Sequence, residues 1–478
     1  MYSTQTVALS KGIQFTENKK DIYDIYKSLL ESAKDLYNQA LFYSRNVFTG
    51  CNKLKEGKSL FDNETEAISY VNDNLSLCLN KKGEEVYQRV DENHRSISYS
   101  QLQKLMYKTN NEVYFENSLP PQTRNKLIDL ACKNMKSFFS AIKEYIRTPE
   151  KFKGRPKLPR YKKPHQWQTM EIPNGTGKIE YKDGKYYFRV YDYSLYLGKA
   201  IHNGRLIRTT VSMEYGKIIF RFVFEEPIDN SVKEDNNRYL GIDLGVNDFA
   251  TISNNIGIRP VVIKGKIFKT KNQYYNKRKS ILQSYLDKYN NVTNQGIKVT
   301  RQMERLSNCR SNYFRDVFHK ISKGIVNYAL ENNISKIIVG ENKGWKQGAD
   351  LDKYSKEKVQ NDTQNFVSIP YNQFKGILKD KASRNGIEVV FVEESYTSKS
   401  SILDLDILPA YKENEDAEYQ FKGYRKQRSI YKSYNFGELH ADVNGASNII
   451  RKFNKSAFDN QDLGYLKQFP IGVLKKYI

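Results

Sequence analysis

Cysteine is scarce: Cys51, Cys78, Cys132 and Cys309 are the only four in 478 residues, and no two form a CxxC pair. That spacing excludes a disulfide framework and offers no cysteine-based zinc motif. Histidine is as rare, with five residues, so chemistry built on several imidazoles has little material. No run of about 18 apolar residues occurs, which leaves no candidate for a membrane-spanning helix. The opening stretch MYSTQTVALSKGIQF lacks the apolar centre of a secretory signal, so a cytoplasmic location is expected. Acidic residues are in deficit, 54 Asp+Glu against 78 Lys+Arg, which leaves a net charge of +24. With a pI near 9.4, the expected partner is a polyanion, and nucleic acid is preferred over an anionic membrane surface.

What the chain does contain is ordered by period. At roughly 100–200 residues per domain, its length allows two to four domains with their own cores. Over 21–48, Ile22, Ile25, Tyr26, Leu29, Leu30, Ala33, Leu36 and Tyr37 recur at three- and four-residue spacing. After Pro120 and Pro121, Leu127, Ala131, Met135, Phe138 and Ile142 do the same. Both patterns predict amphipathic helices, the second entered through its prolines, and 20–148 reads as mainly helical. PEKFKGRPKLPRYKKPH (149–165) carries four prolines and cannot be helical. Beyond it the period becomes two, with hairpin turns predicted at Asp183-Gly184 and Tyr215-Gly216. Residues 150–225 therefore read as a small β-barrel or antiparallel sheet. The polar stretch EEPIDNSVKEDNNR (225–238) marks a boundary, with a linker at 229–238.

The C-terminal half alternates strand and helix. Strands are predicted at Tyr239–Asp243, Phe249–Ser253, Pro260–Ile263, Lys336–Gly340 and Glu388–Glu393, and helices at 314–331, at 372–385 and from Asp442 onward. Three strands, helix, strand, helix, strand, helix is the order of an RNase H-type α/β layer fold. In such a sheet the first and fourth strands lie side by side and parallel. Asp243 (YLGIDLGVND) and Glu341 (KIIVGENKGW) would then emerge at one edge, and the last helix would bring Asp442 (HADVNGASNII) to both. Three carboxylates in one pocket need a cation to stay ionised, and hard oxygen ligands suit Mg²⁺. Two such ions roughly 3.5–4 Å apart can clamp a scissile phosphate, one activating water and one stabilising the leaving oxygen. Glu393 and Glu394 end the fifth strand near this pocket; one could assist metal binding, but a salt bridge is the expected role. Trp167 and Trp345 are expected to serve packing.

GIDLGVNDFATIS, IIVGENKGW, EESYTSKSS and HADVNGASNII together resemble the RuvC-type nuclease half of TnpB, the transposon-encoded family related to compact type V CRISPR effectors. KFKGRPKLPRYKKP resembles the same family at the junction of its helical and wedge domains. The resemblance implies a multidomain α+β protein: a β-barrel wedge domain interrupted by a helical recognition domain, then an RNase H-like RuvC nuclease. The spans would be 1–19 for the first wedge strand or strands, 20–148 for recognition and 149–228 for the wedge barrel. After the linker, 239–396 and 438–478 would form the nuclease with its tail. It also implies a prokaryotic RNA-guided DNA endonuclease, nucleoid-associated when on DNA, with one protein per noncoding guide RNA and a short motif beside its DNA target. Asp243, Glu341 and Asp442 match the family's three catalytic, metal-binding carboxylates, which would hold two Mg²⁺. Many members carry two CxxC pairs for a structural zinc between the YTSK segment and the last Asp. Here Ser401 and Asp404 stand in place of the first pair, so no zinc is expected and 397–437 must hold its shape otherwise.

Three basic segments are candidate nucleic-acid contacts. The first supplies Lys151, Lys153, Arg155, Lys157, Arg160, Lys162 and Lys163. KGKIFKTKNQYYNKRK (264–279) supplies Lys264, Lys266, Lys269, Lys271, Lys277, Arg278 and Lys279 with no acid among them. Such runs neutralise phosphates without reading sequence. FKGYRKQRSIYKSY (421–434) mixes Arg425 and Arg428 with four aromatics, a pattern suited to single strands whose bases stack. Lys399 and Arg451 are further candidates near the carboxylates. Two alternatives stay open: a guided DNA-binding repressor without cleavage, and an RNase H-fold transposase acting without RNA.

Overall fold

The computed structural model describes every residue except 1, 81, 116–117, 153, 192, 202–203, 227–233, 342–368, 410–418 and 473–478. Lys153, Trp345, part of the linker, the middle of the 397–437 insertion and the end of the tail thus lie outside the described residues. The chain divides into two compact units, Met1–Pro227 and Ile228–Ile478. Among the described residues no helix is long and apolar enough to cross a membrane.

In the first unit the strand β1 (Tyr2–Leu9) precedes α1 (Ile22–Lys55), whose first turn is capped by Asp21: its carboxylate accepts from Tyr23 N at 2.9 Å. The apolar period predicted for 21–48 is the buried face of α1, and the helix continues to Lys55. Helices α2 (Asp62–Asp73), α3 (Tyr99–Lys108), α4 (Glu112–Phe115) and α5 (Pro121–Arg147) complete this segment, with α5 packed along α1. Pro120 is the N-cap of α5 and Pro121 its first residue, where a missing N–H costs nothing.

Beyond the proline-rich segment come β2 (Met170–Pro173), β3 (Gly177–Lys182), β4 (Lys185–Val190), β5 (Tyr193–Gly198), β6 (Arg205–Glu214) and β7 (Lys217–Glu225). They form two antiparallel sheets, β1-β7-β6-β2 and β3-β4-β5. Both predicted hairpins are present, each with positive φ at its two turn residues: 51° and 73° at Asp183 and Gly184, 50° and 69° at Tyr215 and Gly216. Strand β1 pairs along its whole length with β7, Tyr2 opposite Glu225 and Leu9 opposite Ile218. The helical segment is therefore inserted between two strands of one sheet.

The second unit is built on β8 (Tyr239–Leu244), β9 (Asp248–Asn254), β10 (Val261–Lys264), β11 (Lys336–Glu341), β12 (Glu388–Glu393) and the short β16 (Ile471–Gly472). Their order is β12-β11-β8-β9-β10-β16. β8, β9 and β10 form an antiparallel meander, while β11 runs parallel to both β8 and β12. The first and fourth strands are thus adjacent and parallel, as the predicted order required. Helices α6 (Lys266–Thr293), α7 (Arg301–Glu331) and α8 (Tyr371–Ser383) follow, and α7 and α8 pack together over a core of Phe249, Phe268, Phe314, Phe318 and Phe374. Helix α9 (Ala441–Phe453) lies on β8, β9 and β11. It comes so close that a Cβ on Gly241 of β8 would strike Ala446 O.

The 397–437 region contains two strands of a small sheet the apolar pattern did not announce: β13 (Tyr424–Gln427), β14 (Ile430–Ser433) and β15 (Gly437–His440). Side-chain to backbone bonds brace it. Asp404 accepts from Ser401 Oγ at 2.5 Å and from Tyr434 N and Asn435 N at 3.2 Å. Asp406 accepts from Ser401 N at 3.1 Å and Lys422 N at 2.9 Å. From α9, Asn444 accepts from Ile402 N at 2.9 Å, while Asn444 and Asn448 donate to Ser400 O at 2.8 and 2.7 Å.

Candidate active site

The strand β8 is buried along nearly its whole length, so its backbone has one path, and that path delivers Asp243 one residue beyond Ile242, the last position paired with β11. Glu341 is the last residue of β11 and lies opposite Glu393 of β12. Parallel pairing makes Asp243, Glu341 and Glu394 leave the sheet at one edge. Asp442 sits in the first turn of α9, whose N-cap is His440: Nδ1 accepts from Asp442 N at 3.3 Å. Two glycines make room. A Cβ on Gly445 would stand 2.7 Å from Asp243 Oδ2, and one on Gly340 would stand 2.5 Å from Glu394 Oε2.

The electrostatics connect these groups. Burial pushes the Asp243 carboxyl well above the usual carboxylate range, and the negative charges of Glu394 and Asp442 push it further, with Arg425 pulling the other way. Burial raises Glu394 to about 7; Lys375 opposes this, while Glu393 and Glu341 add to it. Asp442 is also raised, mainly by burial, with Asp248 adding and His440, Arg425 and Lys264 opposing. Despite these nearby cations, burial and mutual repulsion leave the carboxylates raised, and their donors are all oxygen, which fits a hard divalent cation.

Sequence reasoning missed Lys375, Asp248 and His440, and named Glu394 without separating it from Glu393. Glu394 turns toward Asp243 and Glu341, whereas Glu393 takes the salt bridge expected of the pair, with Lys452 at 3.2 Å. Lys375 reaches Glu341 at 3.1 Å. Asp248 and His440 lie beside Asp442, one ligand atom of each within 4.8 Å of the others; among the described residues this is the set drawn within reach of one ion, and Asp243, Glu341 and Glu394 lie outside it. Two observations weaken it as an ion site. Asp248 already pairs with Lys264 at 2.7 Å, and Arg425 reaches Asp442 at 3.4 Å, so two cations offset the two acids. His440 also accepts through Nδ1, which leaves the proton on Nε2, the atom 3.6 Å from Asp248. The available signal was the tight β8–β9 hairpin, which returns Asp248 to the strand end that carries Asp243.

Residues 213–346 match the family model described as "Probable transposase" (OrfB of IS605), and 371–449 match that of the Cas12f1-like TNB domain. Over these stretches the chain is similar to the OrfB (TnpB) transposase family and to its Cas12f-like TNB domain. Among curated proteins, the "Putative RNA-guided DNA endonuclease InsQ" of Escherichia coli K12 is 25% identical over 176 residues, 36% of this chain and 41% of that one. The chain thus matches about two-fifths of that relative's length. Solved structures of a Cas12f1-sgRNA-target DNA complex (14% identity, TM-score 0.31, covering 95% of this chain and 100% of that one) and of CRISPR-Cas_phi3 (10%, 0.38, 97% and 93%) are similar only at a level that carries no argument.

The basic candidates divide by what already holds them. The segment 155–163 is pinned to α1: Arg45 donates to Pro159 O at 2.7 Å and covers the Tyr161 ring, and Asn38 bonds Lys162 through both backbone groups. Arg155, Lys157, Arg160 and Lys163 remain exposed, and Lys151 pairs with Glu144 at 3.2 Å. The stretch 264–279 is mostly helix α6. There Lys266, Lys277, Arg278 and Lys279 are exposed, while Lys264 is held by Asp248, Lys269 by Asn247 and Lys271 against Tyr313. Lys399 and Arg428 are exposed, as is Arg425, which bonds Arg428 O. Arg451 is half-buried and donates to Asp406 O at 2.9 Å and to Asn448.

Proposed function

We propose that the chain is an RNA-guided DNA endonuclease that hydrolyses phosphodiester bonds beside a short flanking motif by RuvC-type, Mg²⁺-dependent chemistry. What supports this reading is that Asp243, Glu341 and Glu394 end neighbouring parallel strands while the charge of Asp442, in the first turn of α9, bears on Asp243. Asp243, Glu341 and Asp442 would hold two Mg²⁺, and Glu394 is close enough to assist. Bound there, the ions would activate a water and stabilise the departing 3′ oxygen. The chain's own residues do the rest: the sheet fixes Asp243 and Glu341, His440 and α9 fix Asp442, and the exposed lysines and arginines grip the backbones of guide RNA and DNA. On this reading β1 with the sheets of 149–228 is the wedge, and the inserted helices of 20–148 are the recognition domain. Pairing with the guide, rather than side chains, would read the target. No cysteine follows Cys309, so 397–437 has no Cys₄ zinc site to offer.

The test is to express the chain with its native flanking DNA, sequence the RNA that copurifies, and challenge the complex with a matched plasmid in Mg²⁺. One dominant RNA and cutting abolished by Asp243→Asn or Asp442→Asn are expected. Undiminished cutting by both variants would remove these residues from the mechanism. Tight target binding with no nicking in Mg²⁺ or Mn²⁺ would establish the repressor reading instead.

A further inference from the structure

Helix α8 buries Tyr371, Phe374, Leu378 and Ala382 at three- and four-residue spacing, the stripe that faces the core. Lys375 lies within that stripe and is only 8% exposed. Nothing in the packing asks for a cation there; an ammonium in such a place gives up its hydration, and an apolar side chain of the same length would fill the space at less cost. Its Nζ stands 3.1 Å from Glu341 Oε1 and 5.6 Å from the centre of the Phe391 ring. Its charge also bears on Glu394, the next acid along the sheet edge. The one lysine of the buried stripe is thus aimed at two carboxylates of the proposed nuclease pocket.

We propose that Lys375 is a positioning residue of this centre: it holds Glu341 beside Glu394 before any metal arrives, and it sets how tightly the centre takes a divalent cation. The proposal rests on the nuclease reading in one respect, that the Asp243 pocket is the metal centre. A metal ion entering this pocket meets a positive charge already in place. The ammonium therefore weakens binding of the ion while keeping Glu341 in register for it. Removing the charge but not the length should tighten metal binding and loosen Glu341, two effects that a merely structural lysine would not combine.

The experiment measures Mn²⁺ alone binding to the purified full chain, free ion being read by electron paramagnetic resonance, for the native sequence, Lys375→Met, Lys375→Arg and Asp243→Asn. Lys375→Met is expected to bind Mn²⁺ about ten-fold more tightly, the order expected when a unit charge a few ångströms away is lost. Lys375→Arg should stay within about two-fold of the native chain. Guided cleavage should fall in Lys375→Met and recover in Lys375→Arg. A folded Lys375→Met whose Mn²⁺ affinity is unchanged or weaker overturns the proposal; if that variant does not fold, Lys375→Gln makes the same comparison. Asp243→Asn separates the two readings: lost Mn²⁺ binding upholds the pocket whatever Lys375 does, and unchanged binding removes pocket and proposal together.

Discussion

At the scale of single residues, the carboxylate pocket depends on atoms that are missing as much as on those present. Gly445 is helical and buried, so Gly445→Ala should help the helix by up to about 1 kcal/mol. The added Cβ would nevertheless stand 2.7 Å from Asp243 Oδ2 and force that carboxylate aside. Cleavage should therefore fall at least about ten-fold while the melting temperature holds or rises, a separation read by paired activity and thermal-unfolding assays. Glu394 gives a pH signature. Its folded carboxyl titrates near 7, above the unfolded value of 4.5, so the folded chain binds the extra proton between those values. Stability of the metal-free protein should then fall as pH rises from about 4.5 to 7, by up to roughly 3 kcal/mol from this group. Denaturant titrations across that range should show the slope, and Glu394→Gln should flatten it.

At the scale of elements, the 397–437 region, which has no cysteine, is held by hydrogen bonds among its described residues. Asn444 is fully buried and bonded to Ile402 N and Ser400 O. Asn444→Ala strands Ile402 N and leaves Ser400 O to Asn448 alone, and should cost about 1–3 kcal/mol, visible as a lower melting temperature and faster amide exchange over 397–437. A zinc-selective chelator should leave the exchange of that segment in the native chain unchanged. The same element shows where the sequence was opaque: β13 is wholly exposed and charged, so it has no apolar alternation to read. Helix α6 was hidden for a related reason, since Phe268, Asn272 and Leu286 are its only buried residues among the described ones. By contrast β8, β11 and α9 were legible, because burial on both faces of a strand and one face of a helix leaves a strong pattern. Asp243, Glu341 and Asp442 could be placed on those elements for that reason. Which of Glu393 and Glu394 faces Asp243 could not be read, because it depends on the register of β12; nor could Lys375, because it depends on which face of α8 meets the sheet.

At the scale of the whole molecule, the +24 charge is the term that should dominate affinity for nucleic acid. Binding of RNA by the chain should weaken steeply with salt, and the slope of log K against log salt counts the phosphates neutralised. Replacing exposed Lys277, Arg278 and Lys279 together by Gln should lower that slope by two to three phosphates' worth, roughly 2 to 3 units. Replacing Lys264, already paired with Asp248, should lower it far less. Filter-binding titrations between low and moderate salt read both.

The pairing of β1 with β7 sets a timetable as well as a shape. Leu9 of β1 is made about 200 residues before its partner Ile218. At roughly 5–20 residues per second, β1 waits about 10–40 s for the edge it will join. The helices α1 to α5 are complete well before then, and their contacts are local enough to form as they emerge. The ribosome therefore delivers a helical body that is ready while its own first strand is still unpaired, and the sheet closes only when the last of its strands arrives.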